Sequence, residues 1–268
     1  MNTFNFNRFW LTLKTNVVSN QKRYMRIILT VFVALTAAYM LTAIDIIFGN
    51  RDLSPQNYAL FRGAATIGFT MLVGISPSLI MRNHNRKEQR ITLFMLPASR
   101  LEKFITQIII CIVVIPVCYI IGAAIADILQ WIAFSIINPG HAQLVMSYLF
   151  TDWTLTSELP VYEATLITIF ILILILWNMS LYLLGGVFFR RYAWLMTTAT
   201  LYFIFFIAMI ILSKIAFSFS FHYNVVESAI PELYIGIAIF TAFTVLNVWL
   251  SYRLYSRLQV INNKWFNI

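Results

Sequence analysis

Charge is scarce in this chain. Asp, Glu, Lys and Arg make up 11% of its 268 residues, against about 25% in soluble globular domains. Hydrophobic residues fill 60% of it and the mean hydropathy is +0.80. That composition excludes a soluble fold, whose surface needs far more polar side chains, and points to an integral membrane protein. Cysteine is nearly missing too: there are two, Cys111 and Cys118. At about 1.5 Å of helical rise per residue their Cα atoms stand roughly 10 Å apart, too far for a disulfide, and both read as small apolar packing residues. No G-x-x-x-x-G-K-[ST] loop, H-E-x-x-H or G-x-S-x-G occurs, so no familiar phosphate-gripping, zinc or serine-nucleophile constellation is in place. The three histidines, His84, His141 and His222, fall in separate predicted loops. The chain is accordingly expected to hold no catalytic residue, cofactor or metal.

What it does have is apolar length. A bilayer core of about 30 Å takes about 20 helical residues, and six runs meet that need: 27–48, 58–81, 105–137, 161–189, 192–216 and 233–252. They are continuous rather than alternating, which favours helices over the strands of a closed barrel. The expected fold is all-α, one transmembrane domain of six spans over residues 1–268. The first run follows a polar and amphipathic lead of some 26 residues, which argues against a cleavable signal peptide.

Of the 19 Lys and Arg, 16 lie in residues 1–26, 82–104, 190–191 and the tail after 252. Basic residues near span ends stay cytoplasmic, so both termini are expected in the cytoplasm and 82–104 is the largest cytoplasmic loop. The pI of about 9.7 is then explained by anionic lipid head groups, with no nucleic acid partner. In the N-terminal lead, Phe6, Trp10, Leu13 and Val17 recur at helical spacing, with Asn5, Arg8 and Lys14 on the polar side. The pattern predicts an interfacial helix over about 4–20; a disordered cationic lead is the alternative. Gly63, Gly68, Gly74, Gly185 and Gly186 are expected to let spans approach closely, and Pro77 and Pro116 to bend theirs.

Five charged groups near predicted external span ends, Asp45, Arg62, Asp127, Glu163 and Lys214, either snorkel to the outer head groups or serve function. The sharper reading is an ion-paired outer gate of Asp45, Arg62 and Asp127.

Within 82–104, Asn85 precedes Glu88 by three residues and Ser99 precedes Glu102 by three, so each pair resembles a capping box. Two helix starts follow: a short helix over about 86–95 with Arg86, Lys87, Glu88 and Arg90 early and Phe94 late, ended by Pro97, and then the third span, with Arg100 and Glu102 in its first turn. A rigid basic helix between two spans suits the receipt of force from a soluble partner; a solvated loop that only sets topology is the alternative.

Three stretches carry a resemblance: "MLPASRLEKF" (95–104), "GGVFFRRYAW" (185–194) and the basic tail "YRLYSRLQVINNKW". With the overall layout they resemble the short permease subunits of bacterial type-2 ABC exporters. That resemblance implies a membrane permease in the bacterial cytoplasmic (inner) membrane, not itself an enzyme, with a coupling helix between spans two and three. It implies as partners a separate cytoplasmic ABC ATPase subunit and a second permease copy or homologous permease. The longer external connection here follows span three, rather than span five as is usual in that class. A non-transporting membrane scaffold or regulator, and after it a membrane-embedded enzyme, are the other readings.

Overall fold

The computed structural model describes residues 4–48, 55–81, 95, 97–137, 143–146, 161–189, 192–218 and 230–257. These are almost wholly helical, and no strand forms among the described residues. In order they make α1 (Phe6–Ser19), α2 (Gln21–Phe48), α3 (Pro55–Met81), α4 (Arg100–Ile109), a π-helical turn (Ile110–Val114), α5 (Ile115–Ile137), α6 (Val161–Phe188), α7 (Ala193–Ser218) and α8 (Ile230–Ser256). Among the described residues five stretches are long and apolar enough to cross a membrane: Gln21–Leu41, Tyr58–Leu79, Arg100–Ile136, Tyr162–Phe188 and Leu233–Ser256. The predicted fifth run lies in α7, where Ala193–Ile207 is a shorter apolar helix among the described residues.

In the third run, where a bend at Pro116 is expected, the chain forms a π-helical turn. Pro116 has no N–H to give the carbonyl of Ile112, and its ring would press on that oxygen. The chain widens immediately before it into the π-helical turn, where the Ile115 N–H reaches the Ile110 carbonyl five residues back. One extra residue in a turn re-aims the flanking faces, yet Cys111 and Cys118 both end up buried and in no disulfide.

By contacts the chain forms two compact units, residues 1–73 with 105–158 and residues 74–104 with 159–268. In the first, α2 packs along α5. The approach is close because Gly122 has no side chain: a Cβ there would stand 2.8 Å from the Ile28 carbonyl oxygen and 3.1 Å from Val31 Cβ. The core of this unit joins Leu35, Tyr39, Phe61, Tyr119, Ala126 and Phe134, with Tyr39 and Phe61 ring centroids 4.9 Å apart, edge to face. Tyr119 is buried without an orphan hydroxyl, since it donates to the Ala65 carbonyl at 2.6 Å. Among the described residues Gly63 plays no comparable part, as a Cβ there meets none of them within 4 Å.

α1 is a separate helix. Asn5 caps it by accepting the Asn7 N–H at 3.0 Å, and at its end Asn20 donates its side-chain amide to the Asn16 carbonyl at 2.8 Å. It buries Phe9 and Thr12 and leaves Phe6 and Trp10 exposed, as a face meant for lipid would be.

In the second unit α8 packs along α6, and α7 lies against α6. Polar side chains hold these helices where no hydrophobic effect between spans is available. Buried Asn247 of α8 donates to Ser180 of α6 at 3.1 Å, and Ser78 donates to the Tyr182 carbonyl at 2.7 Å.

Candidate functional site

The Ser99–Glu102 pair forms the reciprocal cap anticipated from its spacing. The Ser99 N–H donates to Glu102 Oε2 at 2.8 Å, and the Glu102 N–H donates to Ser99 Oγ at 3.2 Å. Two amides that helix geometry leaves without partners are thereby satisfied. Glu102 is wholly buried although charged side chains seldom are, so its cap is also what makes its burial affordable. Arg100, on the exposed side of the same turn, donates to the carbonyl of Ser256 at the end of α8. One turn on, the Phe104 ring lies 5.4 Å from Tyr252 and 5.3 Å from Tyr255. Arg253, in the last turn of α8, stands 5.4 Å over the Trp249 ring.

Thus the start of α4 is fastened to the end of α8 by one backbone acceptor and two aromatic contacts. Two of the stretches on which the resemblance rests, 95–104 and the tail, meet here within one unit. The partners Phe104, Tyr252, Tyr255 and Ser256 were not singled out by sequence. Their signal is the i, i+3 spacing of two tyrosines beside a basic helix end, which is legible only once the opposing helix is known. Of the other residues expected to couple to a partner, Pro97 is exposed, while Arg86, Lys87, Glu88, Arg90 and Phe94 lie outside the described residues.

Removing the cap hydroxyl should have a modest, local effect. Ser99→Ala is expected to lower the stability of the α4 start by about 1 kcal/mol, seen as faster amide hydrogen exchange over 100–104 with exchange in α6 unchanged.

The second cluster gathers around Asp127. Its side chain is 2% exposed, so it does not snorkel. The carboxylate accepts the N–H of Val145 through Oδ1 and of Met146 through Oδ2, both at 2.9 Å. Tyr58 accepts the Gln143 N–H through its hydroxyl at 3.1 Å. Residues 143–146, far along the chain from α3 and adjoining the end of α5 only through 138–142, are thus held at two points. Of the proposed gate, Arg62 is partly buried, and the Asp45 side chain lies outside the described residues; the structure therefore assembles Asp127 with backbone amides. Gln130, one turn beyond Asp127, is buried with neither its amide oxygen nor its nitrogen hydrogen-bonded among the described residues.

Compared with known protein families, curated proteins and solved structures, the chain matches none.

Proposed function

We propose that the chain is the membrane permease subunit of an ATP-driven transporter of the ABC type, working as an exporter in the bacterial inner membrane. It spans six times with both termini in the cytoplasm, α7 supplying the fifth span and α1 lying in the interface. Two copies, or one copy and a homologous permease, enclose the pathway between their bundles. ATP is bound and hydrolysed on a separate cytoplasmic subunit, which docks on the basic segment 82–104.

The observation that carries this reading is the fastening of α4 to α8. A docking segment transmits force only if its end is stiff and joined to elements that cross the membrane. Here the reciprocal cap stiffens the junction at residues 99–102, and Arg100 and Phe104 tie it to the end of α8. A push delivered at 82–98 would reach two long apolar helices together rather than be lost in a loose loop. A loop that merely set topology would need its basic charge and no such fastening.

Replacing both Arg86 and Lys87 with Gln tests the proposal. The tagged double variant is expected to reach the membrane at the normal level, because the flanking apolar helices supply the insertion energy. It should retain at most about a tenth of the ATPase that co-purifies with the unaltered chain, a loss of about 1.4 kcal/mol of charge-assisted contact. ATPase retention at the unaltered level would favour a scaffold whose basic loop sets orientation alone.

A further inference from the structure

Where α1 gives way to α2, Val17, Val18, Gln21, Lys22, Tyr24 and Met25 line an open groove of about 540 Å³, well within the size of small-ligand sites. Its lining mixes two chemistries. Gln21 and Lys22 are exposed polar residues, whereas Val18 is 56% and Met25 64% exposed, a large apolar area to leave uncovered. The groove lies where the first apolar stretch long enough to cross a membrane begins, at Gln21, and the start of a span is where head groups give way to acyl chains.

Charge selects the head group. Residues 1–44 contain Arg8, Lys14, Lys22, Arg23 and Arg26 and no acid. The Lys22 ammonium thus has no carboxylate from α1, or from α2 before Asp45 some six turns on, to neutralise it. A free inorganic anion would satisfy Lys22 and leave Val17, Val18 and Met25 bare, whereas a fatty chain by itself would leave the charge unmatched. An amphiphile with an anionic head satisfies both parts of the lining.

We propose that this groove is a site for one anionic phospholipid, its phosphate against Lys22 and an acyl chain along Val17, Val18 and Met25. The site anchors the α1–α2 elbow to lipid at the membrane surface and is independent of the transporter reading. The groove distinguishes this from the diffuse attraction of a basic helix to an anionic surface, which would treat every lysine at that level alike.

The test uses the full chain in nanodiscs of phosphatidylcholine containing a minor fraction of phosphatidylglycerol, with retained lipid counted by native mass spectrometry. Lys22→Gln should reduce phosphatidylglycerol retention about five-fold. Val18→Trp, which keeps every charge but fills apolar space in the groove, should reduce it by a similar factor. Lys14→Gln, which removes the same charge on α1 away from the groove, should change it less than two-fold, and phosphatidylcholine retention should stay constant throughout. Equal losses from Lys14→Gln and Lys22→Gln would overturn the proposal in favour of diffuse electrostatics. No loss in Val18→Trp would also overturn it, as would displacement of the lipid by inorganic phosphate at matched ionic strength, which would make the site one for a free anion.

Discussion

Gly185→Ala is expected to be among the most damaging single-methyl additions in the second unit. A Cβ at Gly185 would fall 2.0 Å from Thr197 Oγ1, 2.6 Å from its Cγ2 and 2.9 Å from its Cβ. The first two atoms move with the Thr197 rotamer, but the third is fixed to the α7 backbone, so α6 and α7 would have to separate. Thr197 has little freedom in any case, since it is buried and its hydroxyl donates to the Ala193 carbonyl at 2.6 Å. We expect a destabilisation of about 3 kcal/mol, at the upper end of overpacking costs, read as a lower thermal midpoint in detergent. Thr197→Gly alone should cost about 1 kcal/mol, a few tenths from helix propensity and the rest from the buried side chain it removes. The double variant Gly185→Ala with Thr197→Gly should be more stable than Gly185→Ala alone, a coupling of at least about 1 kcal/mol. Additive losses would mean that the two helices do not meet at this pair.

Asp127→Ala should release residues 143–146. The variant strips acceptors from two amides, one of them on buried Val145, and hydrogen bonds to a charged group contribute about 1.5–3 kcal/mol each. Relief of the carboxylate's own desolvation offsets part of that, leaving roughly 3 kcal/mol. Amide exchange at Val145 and Met146 is therefore expected to quicken about 100-fold, with exchange along α2 unaltered. Asp127→Asn keeps one carbonyl acceptor and should fall between. If exchange in Asp127→Ala stays slow, the carboxylate does not hold this segment.

The same variant bears on the proposed outer gate. A gate residue should change ATPase-coupled transport when neutralised, and its effect should be non-additive with Arg62→Ala. A latch alone should change exchange without changing transport.

The class of the protein and the course of its chain were legible in the residues. Continuous apolar runs with few charges leave helices as the means of satisfying backbone groups in lipid, and the structure has α2, α3, α6 and α8 within a few residues of the expected runs at most ends. The Ser99–Glu102 cap was also readable, because it joins residues three apart and needs nothing from the rest of the chain. The N-terminal helix is of the same kind, set by local periodicity and by Asn5.

What joins distant residues was decided only by the tertiary structure. Asp127 looks like any charged group near a span end until residues 143–146 turn back to present their amides. Glycine in an apolar run signals close packing without naming the partner: Gly122 meets Ile28, Gly185 meets Thr197, and Gly63 meets none of the described residues. The π-helical turn lay between these extremes, as Pro116 announced a disturbance that the chain was free to resolve as a bend or as a widened turn. Tyr192 enters α7 at a φ of 51°, a left-handed conformation unfavourable for a bulky side chain, and no local preference would have assigned it there. Short-range capping and hydropathy act through residues within one turn or one run, so they can be read in order along the chain. Helix pairing depends on which surfaces meet, and that follows from the packing of the whole unit.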